Sequence, residues 1–177
     1  MGLEKKLKKK KKAAIFDNEW VIVKNDWDNV AKKVSKLLDV PLEDGEEYKE
    51  RLKNYSNNKD NPLYKWNRGE ISKKRFWSGV LEQYSIPSTK ENINKISSTL
   101  EYLTTEADQD VLKILNDLKK AGHPLYMLSN STEEIEKGNK ERHNYFNIFD
   151  EIYYSHKTGT RKPESKSYLN VLKENKL

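Results

Sequence analysis

Residues 13–26 read AAIFDNEWVIVKND. An apolar run, Ala13 to Phe16, stops at a carboxylate, Asp17, and a second acid, Glu19, follows before apolar residues return at Val21, Ile22 and Val23. So short and uniformly apolar a run reads as a buried strand of a parallel sheet. In open sheets of that kind ligands bind at the carboxyl ends of the strands. Acids at such an end mark a place for chemistry rather than a gap in the core. Asn18 to Asp26 then reads as a loop or hairpin.

Beyond this strand the pattern turns helical, over 27–103. Trp27, Val30, Ala31, Val34, Leu37 and Leu38 recur at helical spacing until Pro41 stops them. Residues 43–55 read as a charged helix and Asn57 to Pro62 as a loop. Phe76, Trp77, Val80, Leu81 and Tyr84 form one face of a helix spanning Ser72 to Tyr84, and Ser88 with Glu91 predicts a capping box for a helix running to about Leu103.

From residue 104 the grammar changes. Asp108 to Ala121 is an amphipathic helix closed by Gly122. PLYML, 124–128, is a second buried strand, ending in Ser129 and Asn130. Ser131 and Glu134 predict a capping box opening a helix towards Phe146. EIYYS, 151–155, is a third strand, and Lys162-Pro163 precedes a last helix to about Lys176, with proline near its first turn. Strands alternating with helices specify a parallel sheet covered by helices.

The bulk composition sets limits. The chain of 177 residues is 35% charged and lacks cysteine, which excludes disulfides and thiolate metal sites and fits a cytoplasmic location. No apolar run is long enough to span a membrane, and the basic start is not followed by the apolar stretch of a signal peptide. The net charge of +6 lies within MGLEKKLKKKKK, residues 1–12, and the remainder is neutral. That places the basicity in a solvated, disordered arm with at most weak contact to RNA or anionic lipid, so nucleic acid is not the expected partner. His123, His143 and His156 have no ligand spacing, and Trp27, Trp66, Phe76 and Trp77 read as helical core.

Three strand ends therefore offer polar groups to one rim: Asp17 and Glu19, then Ser129 and Asn130, then Lys162 beyond the third strand. A carboxylate can attack phosphorus or carbon, a second acid can protonate a leaving oxygen, and a hydroxyl with an ammonium can hold a phosphoryl group.

AAIFDNE resembles the first motif of the haloacid dehalogenase-like hydrolase superfamily, an apolar strand followed by Asp-x-Asp. LYMLSN resembles the second, a strand ending in Ser or Thr, and YYSHKTGTRKPESKSY the third, a Lys-Pro pair after Ser-x-x-x-Gly. RGEISKKRFW, 68–77, is similar to cap sequence in the branch whose helical cap is inserted after the first strand. The resemblance implies an α/β fold with a Rossmann-like three-layer core and parallel sheet (13–26 and 104–177) plus an inserted helical cap (27–103). It implies an aspartyl-phosphate on Asp17 and acid–base work by Glu19, whose backbone carbonyl would also touch the metal. Ser129 would hydrogen-bond the phosphoryl oxygens, Asn130 would shape the loop, and Lys162 would offset charge. The implied cofactor is Mg²⁺ held through Asp17 and Glu19, and the implied substrate a small phosphorylated metabolite.

The sequence departs from that pattern in three ways. Glu19 replaces the usual second Asp, one methylene longer. Trp20 stands where many members have Gly, so the turn is expected to differ and the ring to narrow the site. The fourth motif, an acidic pair that completes the Mg²⁺ site, is not met before Leu177, so the chain reads as truncated, with weak metal binding and an open sheet edge. Besides a phosphatase, these leave a metal-independent dehalogenase-type hydrolase and a binding protein without turnover as alternatives.

Overall fold

A computed structural model describes residues 12–41 and 62–177 of the chain. The basic arm up to residue 11, the charged helix expected over 43–55 and the loop over 57–61 lie outside the described residues. Along the rest, the elements are β1 (Ala14–Phe16), β2 (Val23–Asn25), α1 (Trp27–Leu38), α2 (Pro62–Asn67), α3 (Lys73–Gln83), α4 (Lys90–Ser98), a 3₁₀ turn (Thr99–Tyr102) and β3 (Thr104–Ala107). Then follow α5 (Gln109–Lys120), β4 (Leu125–Ser129), α6 (Glu133–Arg142), a second 3₁₀ turn (Tyr145–Ile148), β5 (Glu151–Tyr154), α7 (Ser155–Thr158) and α8 (Ser165–Glu174).

The fold is α/β. β1, β4 and β5 form a parallel sheet in the order β1-β4-β5. Its register sets Phe16 beside Met127 and Ser129 beside Tyr154, so all three strands end on one rim. β4 is buried along its whole length because both of its faces are covered. Leu125 and Met127 face Leu115, Tyr145 and Phe149 on one side, while Tyr126 and Leu128 meet Tyr153 and Val171 on the other. This is the three-layer arrangement that the strand–helix alternation predicts.

The helices between β2 and β3 have a core of their own. Val30, Ala31 and Val34 of α1 pack with Trp66, Phe76, Trp77, Leu81, Ile93 and Ile96. Trp66 stacks on Phe76 at 4.3 Å between ring centroids, and Trp77 meets both rings edge-on. The chain leaves for these helices along β2 and returns along β3, which pair antiparallel as a two-stranded ribbon. The sequence reading found the loop before β2 but missed β3, because TTEA is polar and only Thr104 in it is buried.

Two helix starts move by one residue. The α4 cap is Thr89, whose hydroxyl accepts from Asn92 N at 3.1 Å, and the α6 cap is Thr132, accepting from Ile135 N; neither Ser88 nor Ser131 caps. Ser88 donates to the Ser78 carbonyl, and Ser131 N donates to Ser155 Oγ at 3.1 Å. The predicted box partner Glu134 instead pairs with Lys73 at 3.2 Å. The helix expected to run to Phe146 stops at Arg142, and a 3₁₀ turn follows. No helix among the described residues is long and apolar enough to cross a membrane.

Candidate active site

Asp17 is the first residue past β1, and its side chain is 39% exposed. Its Oδ1 accepts from Asn18 N at 2.8 Å, which fixes the carboxylate against its own backbone, and it forms an ion pair with Lys162 Nζ. Lys162 reaches Asp17 because its loop is pinned to the end of β4. Asn130 Nδ2 donates to the Lys162 carbonyl at 3.0 Å, and Lys162 N donates to Asn130 Oδ1 at 2.8 Å. The peptide bond from Lys162 to Pro163 is cis. Asn130 thus shapes the loop that presents the ammonium.

Glu19 faces a different set of partners. Its Oε2 accepts from Ser129 Oγ at 2.9 Å, and its Oε1 accepts from Asn18 Nδ2 at 3.2 Å. Glu19 is partly exposed as a residue, but its carboxyl group is enclosed by protein, and this loss of hydration pushes its pKa up from 4.5 to about 7. The hydrogen bonds from Asn18 and Ser129 favour the charged form and oppose the rise, and the negative charge of Asp17 adds to it.

Asn18 and Tyr145 hold this acid, and the sequence reading assigned them no role. Tyr145 OH donates to Asn18 Oδ1 at 2.6 Å, so a buried chain runs from Tyr145 through Asn18 to Glu19 and ends at Ser129. Asn18 and Ser129 are both fully buried. Burial also raises the Tyr145 pKa well above its ordinary value, which keeps the phenol a neutral donor. An amide between two acids was the only signal for Asn18; Tyr145, distant in sequence, had none.

The turn after Glu19 takes the conformation that glycine usually supplies. Trp20 has φ +67°, Trp20 N donates to Val23 O at 2.6 Å, and the N–H groups of Val21, Ile22 and Val23 all point at the Asn18 carbonyl. The turn is glycine-like and the tryptophan accepts strain on the order of 1–3 kcal/mol to make it.

Beside these groups opens a cavity of about 580 Å³, within the range of small-molecule sites. Asp17, Glu19, Asn130, Arg161 and Lys162 line its polar part, and Trp20, Trp27, Leu63, Trp66, Leu100 and Ile135 are among its apolar walls. Ser129 lies behind Glu19, with its hydroxyl committed to that carboxylate. Of the sequence-predicted residues, Asp17 and Lys162 meet directly, Glu19 and Ser129 meet each other, and Asn130 joins the two sets through the Lys162 loop.

For a divalent cation the fit is limited. No group of three or more His, Cys, Asp or Glu side chains gathers among the described residues. Of the two acids at the end of β1, Asp17 presents the more open carboxylate, since that of Glu19 is held by Asn18 and Ser129. One carboxylate with substrate phosphate and water suits Mg²⁺, which keeps much of its hydration in such sites.

Comparison with known proteins bears on this geometry. Residues 44–177 match the family model of the haloacid dehalogenase-like hydrolases. The match starts downstream of Asp17, so that residue is placed by the sheet alone. Among solved structures, the fold is similar to that of a HAD family enzyme of Bacteroides thetaiotaomicron in complex with magnesium and inorganic phosphate, with TM-score 0.72 at 17% identity over 94% of this chain and 80% of that one. It is similar to a predicted HAD-like hydrolase of Porphyromonas gingivalis, with TM-score 0.68 at 13% identity over 94% and 77%. It is also similar to the L-2-haloacid dehalogenase of Xanthobacter autotrophicus with chloropropionic acid covalently bound, with TM-score 0.64 at 16% identity over 94% and 66%.

Proposed function

The chain belongs to the haloacid dehalogenase-like hydrolases, and from that premise we propose that it is a Mg²⁺-dependent phosphatase of a small phosphorylated metabolite. The observation that carries this reading is the Asp17–Lys162 ion pair lining the cavity, with an acid of raised pKa, Glu19, two residues along.

In this reading an Asp17 oxygen attacks phosphorus and the bond from phosphorus to the alcohol oxygen breaks, leaving an aspartyl-phosphate. Glu19, protonated for much of the time near pH 7, gives its proton to the departing oxygen. As a carboxylate it then takes a proton from water, which attacks the aspartyl-phosphate and returns Asp17 with inorganic phosphate. Lys162 offsets the negative charge of Asp17 and the phosphoryl oxygens. Ser129 first holds Glu19; when Glu19 turns to the leaving group, the Ser129 hydroxyl is released to the phosphoryl oxygens. A bound Mg²⁺, held through Asp17, the Glu19 carbonyl and the phosphate, would neutralise phosphoryl charge. The helices over 27–103 serve as a cap whose walls meet the rest of the substrate and exclude water.

A second reading, attack of Asp17 on carbon with release of halide, has the likeness to the Xanthobacter dehalogenase fold behind it. The retained acid at Glu19 favours the phosphatase, because halide departs without a proton. The test is hydrolysis of phosphate monoesters with and without Mg²⁺, in the native chain and in Asp17→Asn. Turnover that needs the metal and vanishes in the variant is expected. Metal-independent halide release from 2-haloacids would replace the reading with the second, and folded protein without either activity would leave a binding role.

A further inference from the structure

The hydrolytic step uses Asp17, Glu19, Ser129 and Lys162 but leaves Trp20 without a task. Its backbone lies in the left-handed region, φ +67°, where the Cβ crowds the carbonyl and glycine is the ordinary occupant. Its indole recovers little by burial. Trp20 is 60% exposed, whereas Ile22, two residues on, is fully buried. A strained backbone that sets a large apolar ring in the open points to a contact made outside the chain itself.

The cavity gives that contact a place and a chemistry. Trp20 lines it together with Asp17, Arg161 and Lys162, so the indole stands near the groups that would hold a phosphate. Across the same cavity Trp27, Leu63, Trp66 and Leu100 supply apolar wall. Arg161 is fixed at the cationic end, its guanidinium carbon 4.7 Å from the centre of the Tyr64 ring. Asn25, Asn67 and Thr132 also line the cavity, yet its surface is mainly apolar, which favours an apolar group over a sugar or polyol. A flat ring would stack on the indole and lose only apolar surface to water.

Resting on the phosphatase reading, we propose that Trp20 is a substrate platform and that the substrate is the phosphate monoester of an alcohol bearing a flat, apolar ring system. The phosphate lies between Asp17 and Lys162, and the ring lies along Trp20. Trp20 acts as a specificity-determining residue, and the strain of its left-handed turn is offset by the contact with the ring.

The test compares two esters with primary alkoxide leaving groups, 2-naphthylmethyl phosphate and propyl phosphate, on the full chain with Mg²⁺. Binding of the non-hydrolysable 2-naphthylmethylphosphonate and methylphosphonate is measured alongside by calorimetry. The naphthyl ester is expected to have a KM roughly tenfold below that of the propyl ester, in line with stacking energies for aromatic rings. Trp20→Ala should raise the naphthyl KM at least fivefold more than the propyl KM, and Trp20→Phe should restore most of the difference. Equal KM values with both esters turned over would overturn the platform and leave the phosphatase reading standing. No turnover, with Trp20-dependent preference for the naphthyl phosphonate, would retain the platform and remove the phosphatase reading. A Trp20→Ala variant with a lowered Tm and no change in selectivity would make the tryptophan merely structural and end the proposal.

Discussion

At the scale of single residues, Glu19 is the group whose surroundings have the clearest consequence. An unfolded glutamate releases its proton near 4.5, and the enclosed Glu19 carboxyl near 7. Between those values the folded chain holds a proton that the unfolded chain has lost, so raising the pH favours unfolding. The stability is full below pH 4.5, declines between 4.5 and 7, and then levels, by up to about 3 kcal/mol from this group. Glu19→Gln, a neutral isostere that still accepts from Ser129, should flatten that slope in urea titrations run with a chelator present; an unchanged slope would mean the carboxyl is not held neutral. In the phosphatase reading the same variant loses roughly 10²–10⁴-fold in kcat, the range for a general acid–base group. Asp17, Ser129, Asn130 and Lys162 were legible because each sits at or after a strand end, a place that apolar runs reveal. Which of them touch was not. Partner choice depends on the Asn130 amide pinning the Lys162 loop and on Tyr145 reaching Asn18, pairings 32 and 127 residues apart along the chain.

At the scale of elements, the helices of the insertion are tied to the strand-end loops by α2. Tyr64 OH donates to Glu164 Oε1, and Arg68 Nη1 donates to the same oxygen at 2.8 Å. Glu164 occupies the cap position of α8, yet its side chain makes no bond to that helix and turns to α2 instead. Two residues before it, Lys162 holds Asp17, so one short loop joins the wall of the cavity to its charged end. Tyr64→Phe and Glu164→Ala should therefore couple in a double-mutant cycle by about 1 kcal/mol, at the lower end for a charge-assisted bond because Glu164 is partly exposed although Tyr64 is buried. Coupling near zero in denaturant unfolding would mean α2 is held by other contacts. Elements of this kind are read unevenly from sequence. The long amphipathic helices α1 and α5 emerge from periodicity, whereas the caps at Thr89 and Thr132 do not. In both places a serine precedes a threonine, either hydroxyl could cap, and three-dimensional demand for the serine decides.

At the scale of the whole molecule, the helical insertion and the sheet's covering helices interlock where α6 crosses the first 3₁₀ turn. Lys137 Nζ pairs with Glu101 at 2.9 Å, Arg142 Nη2 donates to Thr104 Oγ1 at 3.0 Å, and Thr104 bonds Asn139. Gly138 sits between these contacts. A Cβ there would lie 2.0 Å from the Glu101 carbonyl oxygen, a backbone atom that cannot swing aside. In the sequence Gly138 looks like a defect in a helix, costing about 1 kcal/mol relative to alanine; in the fold it is what lets the two parts approach. Gly79, in the middle of α3, is the matched control, since a Cβ there meets nothing within 4 Å. Gly79→Ala should raise stability by about 0.5–1 kcal/mol through helix propensity alone. Gly138→Ala should instead lower it by roughly 2 kcal/mol or more, because overpacking against backbone outweighs the same propensity gain. For a chain of this length that is a fall in Tm of at least about 4 °C, against a small rise for the control. Two alanines that shift Tm in the same direction would show that α6 and the 3₁₀ turn do not approach as closely as the Glu101–Gly138 contact requires.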